Sequence, residues 1–302
     1  MEREKYKSGF ISIVGRPNVG KSTMLNKFLG QKIAIMSNKP QTTRNKIQGI
    51  LTEDDFQAIF IDTPGIHKPK HKLGEFMNKQ ATSTFSEVDA VLFLVEADKD
   101  PGAGDHYIAE LLSNVRTPII LVINKTDLIS KNTLLTRINQ YKELINAKEI
   151  IPISALKGEN VDTLINQIRI LLPEGPKYFS SEQITDHPER FIIAELIREK
   201  VLQLTHEEVP HSIAVVIEQI VEREGTETLF VSAIIYTERK SQKGILIGKQ
   251  GLLLKEIGKR SRHDIEMLLG SKIYLDLWIK VKKDWRNQAV DLKNFGFNDS
   301  NS

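Results

Sequence analysis

Gly15-Arg16-Pro17-Asn18-Val19-Gly20-Lys21-Ser22 stands between an apolar run at residues 10–14 and helical sequence that continues through Phe28. The pattern is G-x-x-x-x-G-K-[ST] in the setting it requires, with a strand before it and a helix after. Its glycines let backbone N–H groups turn inward around phosphates, and the helix behind them adds the positive end of its dipole. Lys21 is expected to reach the β and γ oxygens of a nucleotide, and the Ser22 hydroxyl to bind Mg²⁺. Gly15, Asn18, Val19, Gly20, Lys21, Ser22 and Thr23 are the nucleotide-binding positions expected from this stretch.

The same rhythm recurs downstream. Apolar runs at residues 56–61, 89–96, 118–123 and 150–153 are each followed by polar, helix-length sequence, which predicts a mostly parallel sheet wrapped by helices. Residues 47–53, the turn Glu53-Asp54-Asp55 and the run from Phe56 predict a hairpin that adds one antiparallel strand at the sheet edge.

Three further segments sit where strands of this sheet end. Asp62-Thr63-Pro64-Gly65 offers a carboxylate to the metal and the Gly65 N–H to the γ-phosphate. Asn124-Lys125-Thr126-Asp127 selects the base, because the Asp127 carboxylate can accept from both N1–H and the exocyclic amine of guanine. Adenine presents an acceptor at N1 and no amine beside it, so an ATP site is a poor reading. Asn124 is expected to tie this segment to the phosphate loop and the guanine oxygen, and the Lys125 stem to cover one face of the base. Ser154-Ala155-Leu156-Lys157 would bring a backbone N–H to the guanine oxygen. Between the phosphate loop and the hairpin, Gln41-Thr42-Thr43-Arg44 must supply a threonine to Mg²⁺ in the GTP state. Thr43 is the first choice and Thr42 the alternative, giving Ser22, Thr43 and Asp62 as the metal set and Lys21, Thr43 and Gly65 as the positions acting on the reaction.

With 302 residues the chain suits two cores better than one. Pro173-Glu174-Gly175-Pro176 through Ser180-Ser181 to His187-Pro188 breaks both periodicities, so residues 1–173 are expected as one domain and 174–189 as a linker. Residues 190–285 then read as helix, strand, strand, helix, helix, strand, and 286–302 as a tail. Ile193, Leu196, Ile197, Val201 and Leu204 share a helical stripe; strands are expected at 213–221 and 228–236, joined through Glu224-Gly225. A short turn at 243–247 and a helix at 251–269 precede a last strand at 272–281, with Ile273, Leu275, Leu277, Ile279 and Val281 facing inward.

The net charge of +3 hides an asymmetry: residues 190–238 carry 4 Lys and Arg against 9 Asp and Glu, and residues 239–286 carry 13 against 5. Inside that basic block lies Ile247-Gly248-Lys249-Gln250-Gly251, a G-x-x-G turn between helical segments, with Lys255, Lys259, Arg260 and Arg262 on the helix that follows. Such a loop lets an RNA backbone approach closely and clamps about four nucleotides of a single strand. The absence of cysteine excludes disulfides and thiolate metal sites, and the N-terminal residues lack the apolar core of a signal peptide, so a cytoplasmic protein is expected.

The phosphate loop, Asp62-Thr63-Pro64-Gly65, Asn124-Lys125-Thr126-Asp127 and Gln41-Thr42-Thr43-Arg44 resemble the translation-factor-related GTPases, and the last of these with Ile66 resembles the Era group. The second half resembles a type II KH domain, so the likeness to the Era family covers nearly the whole chain, including Trp285-Arg286 and residues 292–297. It implies GTP and GDP as ligands with Mg²⁺, and binding of 16S ribosomal RNA near its 3′ end through the KH domain. It also implies assistance to 30S subunit maturation, peripheral association with the inner face of the cell membrane, and a monomer. Ras-like enzymes place a water-orienting glutamine where this chain has Ile66, so hydrolysis is expected to be slow, with the water positioned by backbone, by His67 or by a partner. Asn18 resembles the loop asparagine that recruits K⁺ in relatives lacking that glutamine.

Overall fold

The computed structural model describes residues 5–37, 39, 42–66, 72–73, 75–77, 85, 87–222, 225 and 228–297. The chain divides into two compact units, one ending at Asp186 and the other running from His187 onward and also taking in Ile35–Thr42 and Lys70–Leu73.

The first unit contains β1 (Lys7–Val14), α1 (Lys21–Leu29), β2 (Ile47–Thr52), β3 (Phe56–Asp62), β4 (Ala90–Glu96), α2 (Ala103–Ser113), β5 (Ile119–Asn124), α3 (Lys131–Leu144), β6 (Glu149–Pro152) and α4 (Val161–Leu171). Its sheet runs β2-β3-β1-β4-β5-β6, with β2 antiparallel to β3 and the other pairings parallel. β3, β4 and β5 are buried along their whole length, which explains why they are apolar apart from Gln57 and the strand-ending Asp62, Glu96 and Asn124: a parallel strand covered on both faces has no solvent side to mark with polar residues. The parallel strands all point one way, so the segments after Val14, Asp62, Glu96, Asn124 and Pro152 gather along one edge of the sheet, where α/β folds place their ligands.

The expected linker is fastened to this unit over most of its length. Ser8 N–H donates to the Pro173 carbonyl at 3.0 Å, Ser8 Oγ to the Pro176 carbonyl at 2.6 Å, and Gly175 N–H to the Tyr6 carbonyl at 3.1 Å. Gln57, fully buried in β3, receives the N–H groups of Tyr178 and Phe179 on its Oε1 at 2.8 and 3.0 Å and donates Nε2 to the Phe179 carbonyl at 2.9 Å. Ile50 N–H reaches the Ile184 carbonyl at 2.9 Å.

The second unit contains α5 (Glu189–Leu204), β7 (Ala214–Glu222), β8 (Leu229–Thr237), α6 (Lys240–Ile247), α7 (Leu252–Leu269), β9 (Ile273–Val281) and α8 (Ala289–Asn294). β7 pairs antiparallel with β8, and β8 pairs parallel with β9. One face of this sheet packs on α5 and α7 through Ile193, Leu196, Ile197, Val201, Val231, Ile235, Ile257 and Ile265. The expected turn at 243–247 is instead part of α6, which begins earlier because Gln242 folds back to accept the N–H groups of Glu238 and Arg239 at 3.0 and 2.9 Å. Val281, expected inward, is 38 % exposed at the end of β9. The β7–β8 connection through Glu224 lies outside the described residues, as do His67 and Gln41.

α5 is buried well beyond its apolar stripe, and Arg198, Glu199 and Lys200 are all covered. Glu199 Oε1 accepts Met36 N–H at 3.1 Å, Gln203 donates to the Met36 carbonyl at 3.4 Å, and Arg198 donates to the Thr42 carbonyl. Lys200 pairs with Asp264 of α7 at 2.5 Å.

The segment beyond β9 is part of this core. Trp285 is fully buried, donates Nε1–H to the Ser212 carbonyl at 3.0 Å, and packs against Phe295 and Phe297 at ring distances of 5.3 and 5.9 Å. Phe295 in turn meets Tyr236 of β8 at 4.6 Å. Trp285→Ala should destabilise this unit by about 3–5 kcal/mol. Denaturant unfolding followed by fluorescence of Trp278, the other tryptophan of the chain, should show the lowered midpoint; an unchanged midpoint would mean that the segment after β9 adds nothing to the core.

Candidate nucleotide site and nucleic-acid interface

The loop after β1 has the backbone its sequence demands. Asn18 and Gly20 take φ of +67° and +104°, and Gly15 takes +157°. A Cβ on Gly20 would stand 2.2 Å from Asn124 Nδ2, and one on Gly15 would stand 2.4 Å from the Leu94 carbonyl oxygen, so neither position admits a side chain. Lys21 is buried and donates Nζ to the carbonyls of Gly15 and Arg16 at 3.1 and 3.0 Å. Thr23 follows half-buried in the first turn of α1.

The three residues expected to hold the metal meet. Ser22 Oγ donates to Asp62 Oδ2 at 2.7 Å and lies 3.0 Å from Thr43 Oγ1, which is 3.5 Å from the same carboxylate oxygen. Asp62 Oδ1 is buried and has no hydrogen-bond partner among the described residues, the arrangement of a carboxylate whose second oxygen is kept for a cation or its water. Thr42 points elsewhere, donating Oγ1 to the Lys39 carbonyl at 2.5 Å. Gly65 lies against Pro17 of the phosphate loop, where a Cβ on Gly65 would stand 2.7 Å from the Pro17 nitrogen. Ile66 is turned into the core with Val14, Ile61, Phe85 and Val88, so its side chain has no access to a reacting water.

The base-reading segments are joined to the loop by one side chain. Asn124 donates Nδ2 to the Val19 carbonyl at 2.8 Å and accepts Ala155 N–H on Oδ1 at 3.0 Å. One N–H of that carboxamide is used by the phosphate loop and its oxygen by the 154–157 loop, where Leu156 is exposed, which leaves the second Nδ2 N–H outside these two bonds. Asp127 accepts Ser154 Oγ–H on Oδ1 at 2.6 Å, and Ser154 Oγ also receives Lys157 N–H at 3.2 Å. Lys125, at φ +67°, is ion-paired with Glu96. Sequence reasoning missed Arg16, which sits at a free position of the motif yet donates Nε to the buried Asp105 of α2 at 2.8 Å. It also missed Glu96, whose signal was a lone carboxylate closing an apolar strand.

In the second unit, Ile247-Gly248-Lys249-Gln250-Gly251 joins α6 to α7. Gly248, Gln250 and Gly251 have φ of +71°, +53° and +76°. A Cβ on Gly248 would lie 2.8 Å from Leu253 Cβ, whereas Gly251 has open space around it. Lys249 and Gln250 are exposed at the tip, and Lys255, Lys259 and Arg260 are exposed along α7, with Arg260 Nε held by Glu256 at 2.7 Å.

A family described as "50S ribosome-binding GTPase" matches residues 10–125, and a KH domain family matches residues 208–286. The chain is 58 % identical over 293 residues to GTPase Era of Staphylococcus haemolyticus (strain JCSC1435), covering 97 % of this chain and 98 % of that protein. It is similar to a crystal structure of a variant Aquifex aeolicus Era bound to GDP·AlF₄⁻, with 42 % identity, a TM-score of 0.93, and 96 % of this chain and 99 % of that one covered. It is likewise similar to Era in complex with MgGDPNP and nucleotides 1506–1542 of 16S ribosomal RNA, with 42 % identity, a TM-score of 0.94, and coverage of 97 % and 99 %.

The electrostatics of the phosphate site set a pH window. Burial pushes the Asp62 carboxyl up to about 6, against the opposing pull of Lys21 and the hydroxyls of Ser22 and Thr43. Burial likewise brings the Lys21 ammonium down to about 8, against the pull of Asp62. A metal needs the carboxylate and a phosphate needs the ammonium, so binding must expel a proton below the first value and recruit one above the second. Affinity for Mg·GDP should be greatest between about pH 6 and about pH 8 and should fall by up to about tenfold per pH unit on either side. Titration calorimetry across pH 5 to 10 checks this; a flat alkaline limb would show that Lys21 keeps its proton throughout.

Proposed function

Since the chain belongs to the Era family of GTPases, we propose that it is a slow timer whose nucleotide state sets its hold on the 3′ region of 16S ribosomal RNA. It is a GTPase. In this reading Lys21 and the loop N–H groups hold the phosphates, and Ser22, Thr43 and Asp62 hold Mg²⁺, directly or through its waters. Asp127 reads the guanine edge, and the loop Ile247-Gly248-Lys249-Gln250-Gly251 with Lys255, Lys259 and Arg260 clamps the RNA strand. Mg²⁺ supplies charge neutralisation at the β and γ oxygens, and the residues of the chain position the reactants. The protein acts in the cytoplasm as a monomer on the 30S subunit, aiding its maturation.

The observation that carries the switch is the division of two neighbouring threonines between units. Thr43 stands beside Ser22 and Asp62, and the residues up to Thr42 group with the second unit. Nucleotide chemistry that pulls on Thr43 therefore pulls on chain belonging to the RNA-binding unit. Slowness is supported by Ile66, whose side chain lies in the core where a glutamine would have to face the water. A complex with a GTP analogue should bind a 3′ 16S fragment at least about fivefold more tightly than the GDP complex. Equal affinities would leave an RNA-binding protein without a switch. Gly251→Asp puts a like charge at an open position of the loop and should cut RNA affinity about tenfold in both states without touching GDP binding. RNA affinity unaffected by that change would favour instead a basic face serving an anionic membrane or a protein partner.

Asn18, at φ +67° in the phosphate loop, resembles the loop asparagine that recruits K⁺ in relatives lacking the water-orienting glutamine. We include K⁺ in the proposal on that basis. Hydrolysis should run several-fold faster in K⁺ than in Na⁺ buffer, and Asn18→Asp, which alters the ligand, should change that ratio; equal rates in the two salts would remove K⁺ from the scheme.

A further inference from the structure

Glu96 ends β4 with a carboxylate only 2 % exposed, after six apolar residues. A charge in that position is costly unless cations meet it. Lys125 Nζ is ion-paired with Oε1, Lys99 Nζ lies 2.8 Å from Oε2, and Arg16 Nη2 lies 3.6 Å from the same oxygen. Burial alone would raise this carboxyl, and the hydrogen bonds from Lys125 and Lys99 carry it below the usual carboxylate range. It is therefore ionised at neutral pH. Two of its three cations belong to different recognition segments: Arg16 lies inside the phosphate loop, and Lys125 lies in Asn124-Lys125-Thr126-Asp127.

We infer that Glu96 is a positioning residue for the nucleotide, holding the Lys125 ammonium so that the methylene stem stays extended as one wall of the base pocket. The inference rests on the reading of Lys125 as the residue that covers the base. Lys125 has φ +67° and opens the 3₁₀ turn Thr126–Leu128, so its backbone direction is set by the turn; its side chain, 30 % exposed, has the freedom of a long flexible chain unless the ammonium is anchored. Glu96 supplies that anchor from a rigid strand. Through Arg16, whose Nε is bound to Asp105, the same carboxylate also lies against the phosphate loop, so the base wall and the phosphate cradle share one buried counter-charge. Electrostatics alone argue the other way, since a carboxylate near a polyphosphate repels it. The inference therefore predicts weaker binding where simple charge removal predicts tighter binding.

The test is GDP and IDP dissociation measured by displacement of a fluorescent nucleotide, in four proteins: the unaltered chain, Glu96→Gln, Lys125→Met and the double variant. Glu96→Gln should release GDP about tenfold faster, because losing preorganisation acts on the off-rate. It should release IDP faster by the same factor, because the stem touches the face of the base and not its edge. In the Lys125→Met background the same change should alter the rate less than about twofold. Lys99→Met, which leaves both nucleotide-site cations on Glu96, should release GDP at the original rate. A Glu96→Gln protein that keeps or tightens its hold on GDP, or one that loses the same factor whether or not Lys125 is present, overturns the inference; the second result would mark Glu96 as a determinant of fold only. If Lys125→Met itself binds GDP normally, the reading of Lys125 as the base wall fails, and Glu96 with it.

Discussion

Two opposite charges buried at the end of one sheet organise the first unit. Lys21 and Asp62 attract each other, yet each is kept on other partners: Lys21 on the carbonyls of Gly15 and Arg16, Asp62 on the hydroxyls of Ser22 and Thr43. Burial weakens the charge of both, and neither is fully compensated by the chain itself. Such a site is unfinished without a ligand of matching chemistry, an anion for the ammonium and a cation for the carboxylate. A phosphate with its divalent metal supplies both at once. The strands β1 and β3, adjacent and parallel, bring Lys21 and Asp62 to the same end of the sheet, and the buried, largely apolar β3, β4 and β5 keep the floor of the site rigid.

That constraint explains why the nucleotide site was legible from sequence. Polyphosphate, metal and guanine each demand a narrow set of residue types, and the sheet presents them in a fixed order at successive strand ends. The convergence of Ser22, Thr43 and Asp62 follows from that order. The choice between Thr42 and Thr43 did not, because both fit the spacing; only the fold separates a threonine beside Asp62 from one bound to Lys39. The hairpin, the parallel runs and the KH element order were likewise readable, since each rests on a local period or turn.

What escaped the sequence depends on partners far along the chain. Proline, glycine and serine mark residues 174–189 as irregular, and irregular sequence reads as a free linker. Gln57 changes that outcome from more than a hundred residues away by giving the segment hydrogen bonds it cannot make within itself. A glutamine inside an otherwise apolar strand was the available signal, and Glu96 gave the same signal in β4. A polar group in a buried strand must have a partner, so its presence predicts a connection even when the partner cannot be named. The charged residues of α5 repeat the point: Arg198 and Glu199 fall outside the apolar stripe, yet they serve the backbone of Met36 and Thr42.

Fastening of residues 174–184 to the first unit also narrows where the chain can bend. A linker sixteen residues long and free in solution would transmit almost nothing between its ends, because its entropy absorbs any displacement. With the bonds from Ser8, Gln57 and Ile50 in place, the segment is held to the first unit as far as Ile184, shortly before α5 begins at Glu189. The stretch before Thr43 is restrained in the same way by Glu199, Gln203 and Arg198. The passage from Thr42 to Thr43, one of the places where the chain crosses between the units, therefore runs from this restrained stretch directly into a residue beside Asp62. Strain at that residue has little slack chain in which to dissipate, which is the physical condition a nucleotide-driven switch requires.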